Sequence, residues 1–128
     1  MKKKVIYMAF ISVILMLAFS CTVFASSYTT TVQFKVARQG ATRSFNGNDI
    51  KYSATTTVSF VHATNDKYTV ELYRKRFIGA DYIGKKTLDR QGYNSCKWSN
   101  VGSGNYYLYF SKANDNVVIT SNDVVIKN

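Results

Sequence analysis

Along most of the chain, apolar and polar side chains alternate one by one. The longest alternating run covers residues 50–62. Ile50, Tyr52, Ala54, Thr56, Val58, Phe60 and His62 fall on one face, and Lys51, Ser53, Thr55, Thr57, Ser59 and Val61 on the other. Period two in a run of β-branched and aromatic residues predicts a pleated, half-buried strand. The same alternation sets Val32, Phe34 and Val36 against Thr31, Gln33 and Lys35, giving a first strand. It sets Tyr68, Val70 and Leu72 against Thr69, Glu71 and Tyr73, and Tyr106, Leu108 and Phe110 against Tyr107, Tyr109 and Ser111. Asn94, Cys96 and Trp98 share a face over residues 93–98, and residues 117–120 and 123–126 form short closing runs. No segment of the region after residue 25 has the 3.6-residue period of an amphipathic helix.

Turn chemistry separates these runs. Asn-Asp pairs stand at Asn48-Asp49, Asn65-Asp66, Asn114-Asp115 and Asn122-Asp123, and Asn46-Gly47 precedes the first. Asn and Asp tolerate left-handed backbone angles and bond to their own main chain, so they favour turns. Residues 77–84 (FIGADYIG) read as a short loop. With no proline, repeat or linker, the pattern predicts one all-β domain over residues 26–128, a single antiparallel β-sandwich of about seven strands.

Residues 98–110 (WSNVGSGNYYLYF) refine that expectation. A strand end, a glycine turn and then Gly104-Asn105-Tyr106 resemble the tyrosine corner of immunoglobulin-like domains. The same stretch resembles the G-x-Y-x-L strand of prealbumin-like and collagen-adhesin B-type domains of bacterial surface proteins. The resemblance implies an immunoglobulin-like or prealbumin-like sandwich in which the Tyr106 hydroxyl bonds to backbone upstream. It transfers no activity, because that fold serves many functions. In the collagen-adhesin domains a first-strand lysine is joined to a last-strand asparagine, which would make Lys35 and Asn122 or Asn128 the partners. Lys35 alternates out of phase with Val32, Phe34 and Val36, so it is expected to point outward and the bond not to form.

The first 25 residues read as a secretory signal peptide. Lys2, Lys3 and Lys4 precede an uncharged apolar run over residues 5–19, and Val23 and Ala25 mark a cleavage site after Ala25. An uncleaved anchor is the alternative, although no basic stop-transfer cluster follows and the next charge is Lys35. A lipoprotein site at Cys21 is the other, with Ala18 and the bulky Phe19 fitting the lipobox poorly. Export to the extracellular space, with association at a cell surface open, leaves Cys96 as the single cysteine of the domain. No internal disulfide can then form, and packing must supply the stability.

Catalytic residues are sparse. His62 is the one histidine and falls in register with Phe60 and Val58, which suits a core-edge role better than catalysis. One histidine and one cysteine do not make a zinc site, and the Asn-Asp pairs are too dispersed for an acidic calcium loop. Glu71, the single glutamate, is expected to face solvent, paired with a neighbouring lysine or arginine. Cys96 beside Trp98 reads as a small buried hydrophobe. No enzyme activity, cofactor or metal is expected.

Charge and aromatic content point to binding instead. The chain has 17 Lys and Arg against 7 Asp and Glu, and ten tyrosines of which only Tyr7 lies in the leader. Arg74, Lys75, Arg76, Lys85 and Lys86 form the densest basic region. If the strands alternate regularly, Tyr73 and Lys75 face outward, as do Tyr107 and Tyr109. Those residues, with Arg74, Arg76, Lys85 and Lys86, form the expected ligand-binding surface. Outside a cell, its natural partners are an anionic cell-wall polymer, a glycan or a membrane surface rather than nucleic acid. The leading expectation is a secreted, non-enzymatic protein that binds an anionic or carbohydrate component of a cell envelope. The alternative is a secreted cationic antimicrobial or toxin-like factor acting on membranes, and a small hydrolase or inhibitor is a third reading.

Overall fold

The computed structural model describes residues 26–60 and 66–128. The expected leader over residues 1–25, with its cleavage site, and His62 lie outside the described residues. Among the described residues there are nine strands and no helix. In chain order they are β1 (Ser27–Phe34), β2 (Ala37–Gln39), β3 (Arg43–Phe45), β4 (Asn48–Val58) and β5 (Lys67–Lys75). β6 (Ala80–Asp89), β7 (Gly92–Val101), β8 (Gly104–Ser111) and β9 (Ile119–Lys127) follow.

Antiparallel pairs are nested around the β5–β6 hairpin. β5 pairs β6, β4 pairs β7, the short β2 and β3 both pair β8, and β1 pairs β9. Successive pairs of this ribbon alternate between two sheets. One sheet has the order β1-β9-β4-β7, and the other β2-β8-β5-β6 with β3 also on β8. The contacts β4·β9 and β5·β8 stitch the folded ribbon together. The all-β antiparallel sandwich is thus present, with nine strands rather than about seven. Its first strand pairs the last, as in a jelly roll, whereas the first strand of an immunoglobulin order pairs the second.

The inward faces follow the alternation. Ile50, Tyr52 and Ala54 of β4, Tyr68, Val70 and Leu72 of β5, and Tyr106, Leu108 and Phe110 of β8 are all buried. They meet Val32 and Phe34 of β1 and Val124 of β9 in one core. Full burial of each large side chain contributes about 1.5–3 kcal/mol before the entropy cost of ordering it. Tyr52 and Tyr68 come from opposite sheets, and their hydroxyls meet at 3.0 Å in the buried interior. Burial pushes both phenols upward in pKa, so both stay neutral.

One open side, between β6 and β7, is closed by Trp98. Its indole N–H donates to the Gly84 carbonyl at 3.1 Å, and a Cβ on Gly84 would stand 3.2 Å from the Trp98 ring. A side chain there would push the indole back by a few tenths of an ångström. At one end, the buried Arg90 ties the β6–β7 turn to the β8–β9 connection. It donates to the Lys67 carbonyl at 3.0 Å and to Asp115 at 2.6 Å. Lys112 bonds the other Asp115 oxygen at 2.6 Å. Lys112 and then Arg90 hold the Asp115 carboxyl well below the usual carboxylate range.

Several expected boundaries move. Val36 is exposed because β1 ends at Phe34, and Phe60 is exposed because β4 ends at Val58. The expected loop over residues 77–84 is mostly strand, since β6 begins at Ala80. Asn122-Asp123 does not turn the chain. It forms an irregularity inside β9, where Ser121 and Asp123 bond locally and Asp123 accepts the Thr55 N–H at 2.8 Å. Left-handed angles occur at Asn48, Asn100 and Asn116, so the Asn114-Asp115 turn places its positive φ two residues later than Asn114.

The corner read from residues 98–110 has the expected bond: the Tyr106 hydroxyl donates to the Gly102 carbonyl. Arg74 reinforces it from β5 by donating to the Ser103 carbonyl at 2.6 Å, and it packs so closely on Gly104 that a Cβ there would lie 2.9 Å from its Nε. Tyr106→Phe should therefore lower the unfolding free energy by about 1 kcal/mol or somewhat more. Urea unfolding checks this, and a variant as stable as wild type would show that the hydroxyl holds nothing.

Candidate functional site

The outer face of the second sheet follows from its register. Tyr73 of β5 lies opposite Tyr107 of β8 on one side and Tyr82 of β6 on the other. Three tyrosines thus form a row across three neighbouring strands. The Tyr73 and Tyr107 rings stack with centroids 5.3 Å apart and planes 14° from parallel. Tyr82 meets Tyr73 edge-on at 5.7 Å and is 55% exposed. Offset stacked and edge-to-face pairs are the favoured aromatic arrangements, so the row is held partly by its own contacts.

The next row on this face is Tyr109, Glu71 and Lys85, in register across β8, β5 and β6. Glu71 accepts a hydrogen bond from the Tyr73 hydroxyl. It lies beside Lys85 in the sheet, yet its hydrogen bond goes to a tyrosine and not to a lysine or arginine. Lys75, two residues beyond Tyr73 and opposite Ala80, extends the face toward the hairpin tip. That tip carries Phe77 and Ile78 fully or almost fully exposed, at 103% and 86%.

The residues expected to bind divide into two groups. Tyr73, Lys75, Lys85, Tyr107 and Tyr109 share the outer face. Arg74 is in register with the inward Tyr106, and Lys86 with the inward Val70, so both turn from that face. Arg74 is engaged by the corner, and the half-buried Lys86 lies near enough to Cys96 to act on its thiol. Arg76 sits at the hairpin tip and pairs with Asp81. Tyr82 was missed because residues 77–84 read as a loop. The signal that could have found it is Tyr82-Ile83-Gly84-Lys85, strand-like but shifted in phase by an irregularity in the pairing between Leu72 and Tyr73.

Cys96 is half-buried and packs against the core edge rather than fully inside it. Its thiol is free, and burial pushes its pKa up to about 11, with Lys86 opposing. A thiol so placed is a poor nucleophile near neutral pH.

No family model matches the chain, and no curated protein matches it. Among solved structures, a mitogen derived from Yersinia pseudotuberculosis superposes with a TM-score of 0.43 at 18% identity, over 82% of this chain and 85% of that one. A periplasmic inhibitor of g-type lysozyme from Aeromonas hydrophila superposes with a TM-score of 0.42 at 12% identity, over 81% of this chain and 86% of that one. Overlaps this loose assign the chain neither protein's action.

The bond from Tyr73 to Glu71 has a spectroscopic consequence. It raises the Tyr73 phenol from 10.0 to about 12, because ionisation would forfeit the hydrogen bond to Glu71 and set two negative groups side by side. A carbon-13 NMR titration of the tyrosine rings should find this late phenol, and Glu71→Ala should return it toward 10.0. An unchanged titration in that variant would remove Glu71 as the acceptor.

Proposed function

We propose that this is a secreted, non-enzymatic binding domain that recognises an anionic or carbohydrate component of a cell envelope on the outer face of its second sheet. The observation that carries this reading is the in-register row Tyr107, Tyr73 and Tyr82. Rings fixed side by side on a rigid sheet give contact area at little entropic cost, with hydroxyls at their rims. A sugar ring presents an apolar C–H face, which the exposed Tyr82 ring can meet, and equatorial polar groups, which the tyrosine hydroxyls can meet. Lys75 and Lys85 flank the row and add long-range attraction to a negatively charged chain.

The second reading is a cationic factor acting on membranes, and the hairpin tip favours it. Phe77 and Ile78 project with Arg76 behind them and Lys75 beside it. Apolar side chains in front of basic ones suit an anionic bilayer surface, where the apolar groups enter the interface and the cations meet headgroups. Phe77→Ser with Ile78→Ser should then abolish co-sedimentation with anionic vesicles while leaving the fold intact. Vesicle binding that survives this change would dismiss the tip, and no binding by wild type would dismiss the reading.

For the leading reading, pull-down from a purified envelope glycan fraction is the test. Tyr107→Ala with Tyr109→Ala should weaken retention while the domain remains folded by circular dichroism. Retention should also fall as salt shortens the Debye length to about 8 Å or less. Salt-independent retention, or full retention by the folded double variant, would eliminate this face.

A further inference from the structure

A second row crosses the outer face of the first sheet, and it is made of lysines. Lys51 of β4 lies directly opposite Lys97 of β7 on one side and Lys127 of β9 on the other. All three are exposed. At an interstrand spacing of about 4.8 Å, the outer two strands of the row stand roughly 10 Å apart. Like charges directly opposite one another destabilise a sheet, so the fold gains nothing from this alignment. Within the row, Lys97 alone has an ion-pair partner among the described residues, Asp49 at 3.8 Å. The next carboxylate along the face, Asp123, already accepts the Thr55 N–H and the Ser121 hydroxyl, each at 2.8 Å.

The row borders a groove of about 340 Å³. Besides the lysines its lining includes Ser53 and Ser95, which are in register with each other, Tyr93, 69% exposed, and parts of Tyr52 and Cys96. Three ammonium groups, two small hydroxyls and one open aromatic ring thus line one depression. The lysines are separated widely in sequence, and only the ribbon pairing brings them together.

We propose that this groove binds a segment of acidic glycan. Carboxylate, sulfate or phosphate groups along the chain meet Lys127, Lys51 and Lys97; sugar hydroxyls meet Ser53 and Ser95; and one sugar ring lies on Tyr93. The lining argues for this occupant over other polyanions. A single-stranded nucleic acid gains most from several rings that stack successive bases, and the groove offers one. A bilayer surface calls for apolar side chains beside the cations, and the exposed pair of that kind, Phe77 and Ile78, belongs to a hairpin of the other sheet. The proposal stands apart from the tyrosine row, because the two rows belong to different sheets. With both occupied, one domain would hold two stretches of polymer at once.

Isothermal titration of the purified protein with size-matched hexasaccharides tests this. The arms are a sulfated, a uronate, a phosphorylated and a neutral hexasaccharide, together with a single-stranded hexanucleotide. At least one acidic hexasaccharide should bind more tightly than the neutral one, and the arm that binds identifies the acid group. Lys51→Gln, Lys97→Gln and Lys127→Gln combined should weaken that binding by about tenfold or more. Lys51→Gln alone should weaken it to a smaller extent, while Lys35→Gln, which removes one exposed charge away from the groove, should leave it unchanged. At low salt the triple variant should unfold at an equal or higher temperature, since repulsion has been removed. Failure of every acidic hexasaccharide to bind, undiminished binding by the triple variant, or a loss in Lys35→Gln equal to that in Lys51→Gln would overturn the proposal. A lowered unfolding temperature in both the triple and the single lysine variant would also overturn it, by making the row structural. Hexanucleotide binding through the same lysines at equal or greater affinity would overturn the choice of glycan.

Discussion

Pairing register is the constraint on which both the interior and the surface of this domain depend. Side chains alternate across a sheet, so a one-residue slip of β5 against β8 would turn Tyr68, Val70 and Leu72 outward and bring Tyr73 inward. The register that buries the first three is the one that sets Tyr73 between Tyr107 and Tyr82. In the other sheet, pairing Ile50 with Trp98 and Tyr52 with Cys96 fixes Lys51 opposite Lys97. Neither outer row can be moved without unmaking the core beneath it. Fixed points pin the register at several levels: the Tyr106 corner with Arg74 upon it, the Trp98 bond to Gly84, and the Asp123 bond to the Thr55 backbone.

Among the described residues, the two sheets are held together without a disulfide, and their interior includes polar atoms that must satisfy one another. The Tyr52–Tyr68 hydroxyl pair crosses between the sheets in the driest part of the core. Removal of the Tyr68 hydroxyl would leave that of Tyr52 buried and unsatisfied, at a cost of about 1–3 kcal/mol. A mutual bond of this kind favours one packing of the two sheets over its neighbours. At the end of the sandwich, Arg90 and Lys112 meet the one carboxylate of Asp115. Buried charges are costly when unpaired, and here the arrangement joins two separate connections of the ribbon.

The strand content was legible because period-two alternation is local. Ile50 through Thr56, Tyr68 through Leu72 and Tyr106 through Phe110 present inward the residues that the pattern assigned to the core. The Tyr106 corner was legible for the same reason, since the tyrosine and its acceptor are four residues apart. Strand order was not, because a local corner is compatible with more than one way of folding a ribbon. The expected immunoglobulin-like sheets would have paired the first strand with the second, whereas β1 lies against β9. β6 was missed because its irregular pairing near Ile83 breaks the alternation, and Tyr82 was missed with it. Asn122-Asp123 has turn chemistry, yet its side chains are spent on a bend within a continuous strand. The lysine row illustrates the limit most clearly. Lys51, Lys97 and Lys127 each look like an ordinary exposed residue, and their alignment exists only in the folded pairing.

The central claim is that this sandwich works through the outer face of a sheet rather than through its ends or interior. Chemical-shift mapping of the nitrogen-15-labelled protein, titrated with a purified envelope glycan fraction, tests that claim most directly. The account predicts that the largest amide shifts cluster on Tyr73, Tyr82, Lys85, Tyr107 and Tyr109 of β5, β6 and β8. Shifts confined to the Arg90–Asp115 end of the sandwich, or to the buried core around Tyr52 and Tyr68, would contradict it.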